Sequence, residues 1–239
     1  PVVIPGMRNI LLGLVAQEAR QVAASGYQSL RQRGLAAIHR DPSKMELAPD
    51  LSDLVDTIFD ADHTVVIAFR HGDTEASTSV NYRDGKTACI RETTPGVFEL
   101  GPLPDNSYQA YVVPRIQNWV YRSKAGTLCS VENATLVKAK EYVQAEEMTR
   151  AETFLLESRV SREAIEPLLA EVLAPICSFA IGVFRNRRSG TSETRGYAVI
   201  GGAKHLYWLA RDGESRIRID SVTKDMIRAR CATITKSLT

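Results

Sequence analysis

Lys204-His-Leu-Tyr-Trp-Leu-Ala-Arg-Asp-Gly-Glu-Ser-Arg-Ile-Arg-Ile-Asp220 reads as two strands joined at a turn. Asp212-Gly213 is the residue pair that a two-residue type I′ turn prefers, because both positions need positive φ. On that turn Arg211 faces Glu214, so paired numbers sum to 211 + 214 = 425 and His205 faces Asp220. Alternation agrees with this register. Leu206, Trp208, Ala210, Ile217 and Ile219 share an apolar face, and His205, Tyr207, Leu209, Arg211, Arg216, Arg218 and Asp220 share the other, which is mostly polar. Directly opposed Cβ atoms lie about 5 Å apart, close enough for a carboxylate to hold an imidazole in one tautomer.

Outward from this hairpin, further strand signals appear. Thr64-Val-Val-Ile-Ala-Phe69 is a continuous apolar run suited to a buried strand. Asp84-Gly85 marks a second hairpin between Ser79–Arg83 and Lys86–Ile90. Val97–Leu100, Gln109–Val113, Cys177–Phe184 and Tyr197–Ile200 complete the expected strands. Helix is expected over 7–38 and over Leu51–Phe59, where Leu51, Leu54, Val55 and Ile58 share one side. From Ser130 to Glu166 there is no Gly or Pro, which predicts a long helix broken near Ser158–Ser161; a last helix runs over Val222–Ala232. No internal repeat is visible in the sequence. The expected fold is α+β: residues 1–60 form an N-terminal helical segment, and residues 61–239 form one domain with an antiparallel sheet and a long central helix.

The 239 residues are 44 % apolar and 24 % charged, which excludes a disordered or collagen-like chain. A net charge of +2 argues against a dedicated nucleic-acid binder. No apolar stretch approaches the length of a bilayer span. Four cysteines without a C-x-x-C, and four histidines, lack the spacing of a zinc site. Reduced thiols in a cytosolic compartment are the default expectation, with export into a host cell as the other possibility. The chain opens with Pro1, which reads as a processed or excised piece.

A His–Asp pair lacks a nucleophile, and Cys129 in Leu128-Cys-Ser-Val-Glu-Asn133 supplies the candidate, read at the start of the long helix. A helix N-terminus favours the thiolate, and its amides could hold an oxyanion with help from Gln117. Cys89 and Cys177 read as core, and Cys231 ranks below Cys129. A cysteine opening a helix, then a histidine starting a strand, then an aspartate ending the next, resembles the papain-like cysteine hydrolases of bacterial effectors and toxins. The likeness covers residues 115–222 and implies Cys129 as nucleophile, His205 as general base and Asp220 as its orienter. It further implies a thiol protease or glutamine deamidase acting on a protein substrate, with no cofactor. The same residues have a bland reading, in which the cysteine is packing and the His–Asp pair is a surface contact.

Two other enzyme classes compete. Arg70-His-Gly-Asp73 resembles the opening motif of the histidine phosphatases, with Arg122 as a second arginine, but Gly201-Gly202 stands where that family's second histidine belongs. Arg70, Ser130, Glu193 and Gly201-Gly202 are similar in order to the ADP-ribosyltransferase toxins, although the paired-acid motif is absent. The last class is a non-enzymatic binding or assembly module.

Overall fold

The computed structural model describes residues 16–38, 45–94, 97–101, 108–117, 125–186 and 192–238. Helix α1 (Ala16–Gln32) leads into a small hairpin, β1 (Ala36–Ile38) with β2 (Met45–Leu47), and then α2 (Pro49–Phe59). Strands β3 (His63–His71), β4 (Thr74–Arg83), β5 (Lys86–Thr94) and β6 (Val97–Gly101) follow as a meander, closed by α3 (Gln109–Gln117). Strand β7 (Gly126–Glu132) precedes α4 (Asn133–Gln144), α5 (Met148–Glu157), α6 (Arg162–Pro167) and a π-helical turn (Leu168–Val172). A second meander, β8 (Cys177–Asn186), β9 (Ser192–Gly201), β10 (Leu206–Asp212) and β11 (Arg216–Val222), ends in α7 (Lys224–Lys236).

All the strands from β3 onward form one antiparallel nine-stranded sheet, ordered β6-β5-β4-β3-β8-β9-β10-β11-β7. The order is nearly palindromic. Each half is a four-strand meander followed by a helix, and the halves meet where β3 pairs with β8 about Ile67 and Ile181. The chain therefore carries a topological repeat that its sequence does not display.

Both faces of the sheet are covered, unequally. On one face, α3 and α7 seal a core of Val65, Ile67, Val80, Phe179, Ile181, Val199 and Trp208. Tyr108 joins the two helices: its hydroxyl donates to the Cys231 carbonyl (3.1 Å). On the other face, the α4-to-π-turn bundle packs Leu136, Leu155, Leu168 and Val172 against Ile200, Tyr207 and Ile219. At the opposite end of that face, Leu54 and Ile58 of α2 pack on Ala88 and Ile90 of β5, which is the side that the sequence spacing marks.

Four local expectations change. Gln109–Val113 is helical, as part of α3. Its buried positions Tyr108, Val112 and Ile116 recur at four-residue spacing, the period of a helix face. The long helix starts later than expected, because β7 runs on to Glu132, and it breaks at 145–147 as well as near 158–161. The α1 helix spans Ala16–Gln32; of the rest of the helix expected over 7–38, residues 33–35 form a turn, 36–38 are strand, and 7–15 lie outside the described residues. The Asp84-Gly85 turn forms as expected, with φ of 47° and 75°.

The fourth change matters most. Only Gly213 of the Asp212-Gly213 pair takes positive φ, at 80°. The loop is then the three residues 213–215, and Asp212 pairs with Arg216. Paired numbers sum to 212 + 216 = 428, three more than expected. An odd shift turns every β11 side chain to the other face relative to β10. Ile217 and Ile219 join Tyr207 and Leu209, while Arg218 and Asp220 join Ala210 and Trp208.

Candidate functional site

The expected His–Asp pair is not formed. Asp220 stands opposite Trp208, on the α7 side of the sheet. Its Oδ1 accepts from Arg218 Nε (2.9 Å) and the Thr127 hydroxyl (3.0 Å), and its Oδ2 from Arg230 Nη2 (2.9 Å). Arg230 also lies over the Trp208 ring, 5.5 Å from its centroid. Asp220 thus ties β7, β11 and α7 together. Burial raises its pKa, but the three donors outweigh burial and hold it below the usual carboxylate range.

His205 finds a different acid. Its ring Nδ1 donates to Glu171 Oε1 (2.9 Å), while the backbone N–H groups of Lys204 and His205 donate to Oε2 (3.0 and 2.9 Å). Glu171 is 6 % exposed, on the π-helical turn. A Cβ built on Gly202 would lie 2.4 Å from the Glu171 Cβ, so glycine is needed there for the carboxylate to reach the β9–β10 turn. Glu171 escaped the sequence reading. Its signal is an acid within the apolar run Leu168-Leu-Ala-Glu-Val-Leu173.

Cys129 is a strand residue, paired with Ile219, four residues before α4 begins. Its sulfur packs against the helical-bundle core. Burial pushes its pKa up to about 11, against a smaller opposing pull from Arg216. At pH 7 about one such thiol in ten thousand is ionised, the reverse of an activated nucleophile. Cys231 is buried, with its pKa likewise raised to about 11, and Cys89 and Cys177 are buried. Gln117 ends α3, and α3 packs on the opposite face of the sheet from Cys129.

We expect all four thiols to react with iodoacetamide at pH 7.5 more slowly than free glutathione, followed by intact mass. Rapid, selective labelling of Cys129 would contradict its placement.

The other constellations are dispersed too. Arg70 pairs through Ser178 to Ile200, whereas Glu193 pairs through Arg185 to His63. They lie seven strand positions apart, about 23 Å at the rise of a strand. Ser130 lies on β7, five strand spacings from β3, or about 24 Å. Arg70 is exposed and pairs with Glu75. Arg122 and most of the Arg185–Gly190 loop fall outside the described residues.

What the topology does assemble is a strip of sheet, between α2 and the helical bundle, that no described element covers. Register aligns Ala68, Ala180, Ala198 and Leu209 in one cross-strand row, and Val66, Gly182 and Gly196 in the next. Ala68, Ala180 and Gly196 are exposed; Val66, Gly182, Phe184 and Ala198 are half-buried. The Phe184 ring folds over Gly182, where a Cβ would meet it at 3.0 Å. Beside this strip opens a cleft of about 970 Å³. Its floor is Gly196, Ala198, Leu209 and Ile217, one wall is the start of α4, and Arg195, Arg211, Arg216, Glu132 and Glu214 stand around it. The sequence trace of this surface is small residues at every second position, in Ala180-Ile-Gly182 and Gly196-Tyr-Ala198. Among the described residues no group of three or more potential metal ligands occurs, and no helix is long and apolar enough to cross a membrane.

No protein-family model matches the chain, and no curated protein matches it in sequence. Fourteen chains of solved structures match it. One comes from the structure of the Mycobacterium tuberculosis type VII secretion system chaperone EspG5 in complex with a PE25–PPE41 dimer. That match has a TM-score of 0.65 at 10 % identity and covers 91 % of this chain and 86 % of the other. The papain-like resemblance is corrected by this finding, and with it the protease, deamidase and toxin readings. The chain shares its fold with a secretion chaperone, not with a cysteine hydrolase.

Proposed function

We propose that this chain is a protein-binding module that works as a dedicated chaperone, holding an apolar surface of a partner protein. The uncovered strip carries the reading. Ala68, Ala180 and Gly196 lie exposed on the middle of a sheet whose flanking strands are covered by helices on that same face. A contiguous exposed apolar surface, unlike scattered apolar residues, marks an interaction site. Small side chains let a partner's backbone come close, which favours dispersion contact over a broad area. The fold shared with a chaperone over nine-tenths of the chain supports the same reading. On this view, Cys129 is packing, Glu171–His205 is an internal fastening, and the module needs no bound cofactor.

The test is co-expression. A partner captured by the tagged chain from its native cells, and identified by mass spectrometry, is expressed with and without the module. We expect it to be soluble only as a complex with the wild-type chain and to precipitate with Ala180→Glu, which places a charge on the strip. A partner that stays equally soluble with Ala180→Glu would end this assignment of the face.

A further inference from the structure

We propose that Arg216 guards the free edge of the sheet: its guanidinium holds the one backbone acceptor that β7 turns outward, and so keeps a second copy of this chain from pairing there. This surface is separate from the docking strip and does not depend on it.

β7 is the last strand of the sheet, and no described strand pairs with its outer side. Antiparallel strands exchange hydrogen bonds at every second residue pair, and the residues between turn both backbone groups the other way. The phase is fixed at the end of β7, where the Asn133 N–H donates to the Ser215 carbonyl (2.8 Å). Val131 and Cys129, two and four residues back, therefore bond to β11 through Ile217 and Ile219. Ser130 and Glu132 aim their N–H and C=O groups away from β11, at the open edge. Glu132 is the N-cap of α4, so its carbonyl belongs to the first helical turn. Over residues 130–132 that leaves two outward donors, the N–H groups of Ser130 and Glu132, and one outward acceptor, the Ser130 carbonyl.

Arg216 takes this acceptor. Its Nη2 donates to the Ser130 carbonyl, its Nε to the Ser130 hydroxyl (3.1 Å) and its Nη1 to the Glu132 carboxylate (3.4 Å). The Ser130 hydroxyl donates onward to Asp212 Oδ2 (2.7 Å), and Asp212 stands opposite Arg216 across the hairpin. As an ion pair, Arg216–Glu132 is half exposed and stabilises little. The three-point grip instead fixes a charged donor against the edge, and a charge-assisted hydrogen bond outcompetes the neutral amide of an incoming strand. An open edge is a template for another strand. A second copy brings the same edge, and the twofold pairing of two β7 strands about Ser130 sets Val131 of one copy beside Cys129 of the other, apolar against apolar. In that pairing each Ser130 N–H needs the Ser130 carbonyl of the other copy. With both carbonyls held by Arg216, the pairing forfeits its central bonds.

The experiment uses the whole chain, with light scattering after size exclusion from micromolar to submillimolar concentration. The wild type is expected to be a monomer. Arg216→Met is expected to self-associate at least tenfold more tightly. Glu132→Gln, which leaves the guanidinium on Ser130, is expected to match the wild type. Glu132 already has φ of −59°, the value of proline, so Glu132→Pro removes only an outward N–H. Added to Arg216→Met, it is expected to restore the monomer. Thermal melts establish that each variant is folded. If Arg216→Met does not fold, Arg216→Gln carries the same test, because its shorter side chain does not reach the Ser130 carbonyl. A folded Arg216 variant that stays monomeric overturns the proposal. Association that Glu132→Pro leaves unchanged places the contact on another surface and overturns it too, as does a wild-type dimer that Glu132→Pro dissociates.

Discussion

Glu171→Ala lowers the unfolding free energy by about 3 kcal/mol, the cost of stripping a buried charged group from its donors. The carboxylate joins the π-helical turn to the β9–β10 turn through three hydrogen bonds, two of them from backbone N–H groups. Alanine leaves those N–H groups without an acceptor and opens space above Gly202. For a chain of this length the loss corresponds to a fall in Tm of roughly 10 °C. Urea unfolding at pH 7 reads it directly, and a change below 0.5 kcal/mol would show that the fastening contributes little.

The pH dependence of Glu171 has a definite sign. Burial raises its pKa, but the His205 ring and the two amides outweigh burial and leave it below the ordinary value. A carboxyl whose folded pKa is depressed stabilises the fold above its unfolded pKa, near 4, and loses that contribution as pH falls through the folded value. Glu171→Gln is therefore expected to unfold with a shallower acid limb below about pH 4 than the wild type. Overlapping acid limbs would contradict the depressed value.

Asp220→Ala is expected to cost about 2 to 3 kcal/mol. The figure is somewhat lower than for Glu171 because the Arg218 side chain, 52 % exposed, regains water when its partner is removed. Arg230 is more enclosed and keeps its place over Trp208, so part of the loss is a guanidinium left beside an apolar face. The readout that separates this from general weakening is hydrogen exchange. Protection should fall first along β7 and in the middle of α7 around Arg230, the elements that Asp220 joins. Uniform loss of protection across the sheet would argue against this localised role. Asp220 also carries a depressed pKa, so its contribution likewise fades below about pH 4.

Several parts of the fold were legible in the sequence because short-range chemistry decides them. The β3 run, the Asp84-Gly85 turn and the apolar side of α2 depend on residues within a few positions of one another. The hairpin at 212–215 was not legible, although its turn residues look equally clear. Its register depends on whether one residue or two adopt positive φ, and tertiary packing decides that. The reading from alternation assumed one dry face and one wet face. With α3 and α7 on one side and the bundle on the other, both faces carry packed helices, so Asp220 is buried among its donors while Arg216 and Arg218 of the same strand stay exposed.

The candidate site followed the same division. Cys129, His205 and Asp220 were drawn together by an assumed register and helix start, and a register shift of three with a helix that begins at Asn133 instead of Ser130 separated them. The small residues of β8 and β9 were present in the sequence as alternation, but a single strand does not tell which of its faces stays uncovered. By itself the sequence determined the secondary elements with strong local signals and the antiparallel character of the sheet. Only the tertiary structure decided which acid meets His205, where the thiols sit and which face of the sheet remains open, because each depends on contacts between residues distant in the chain.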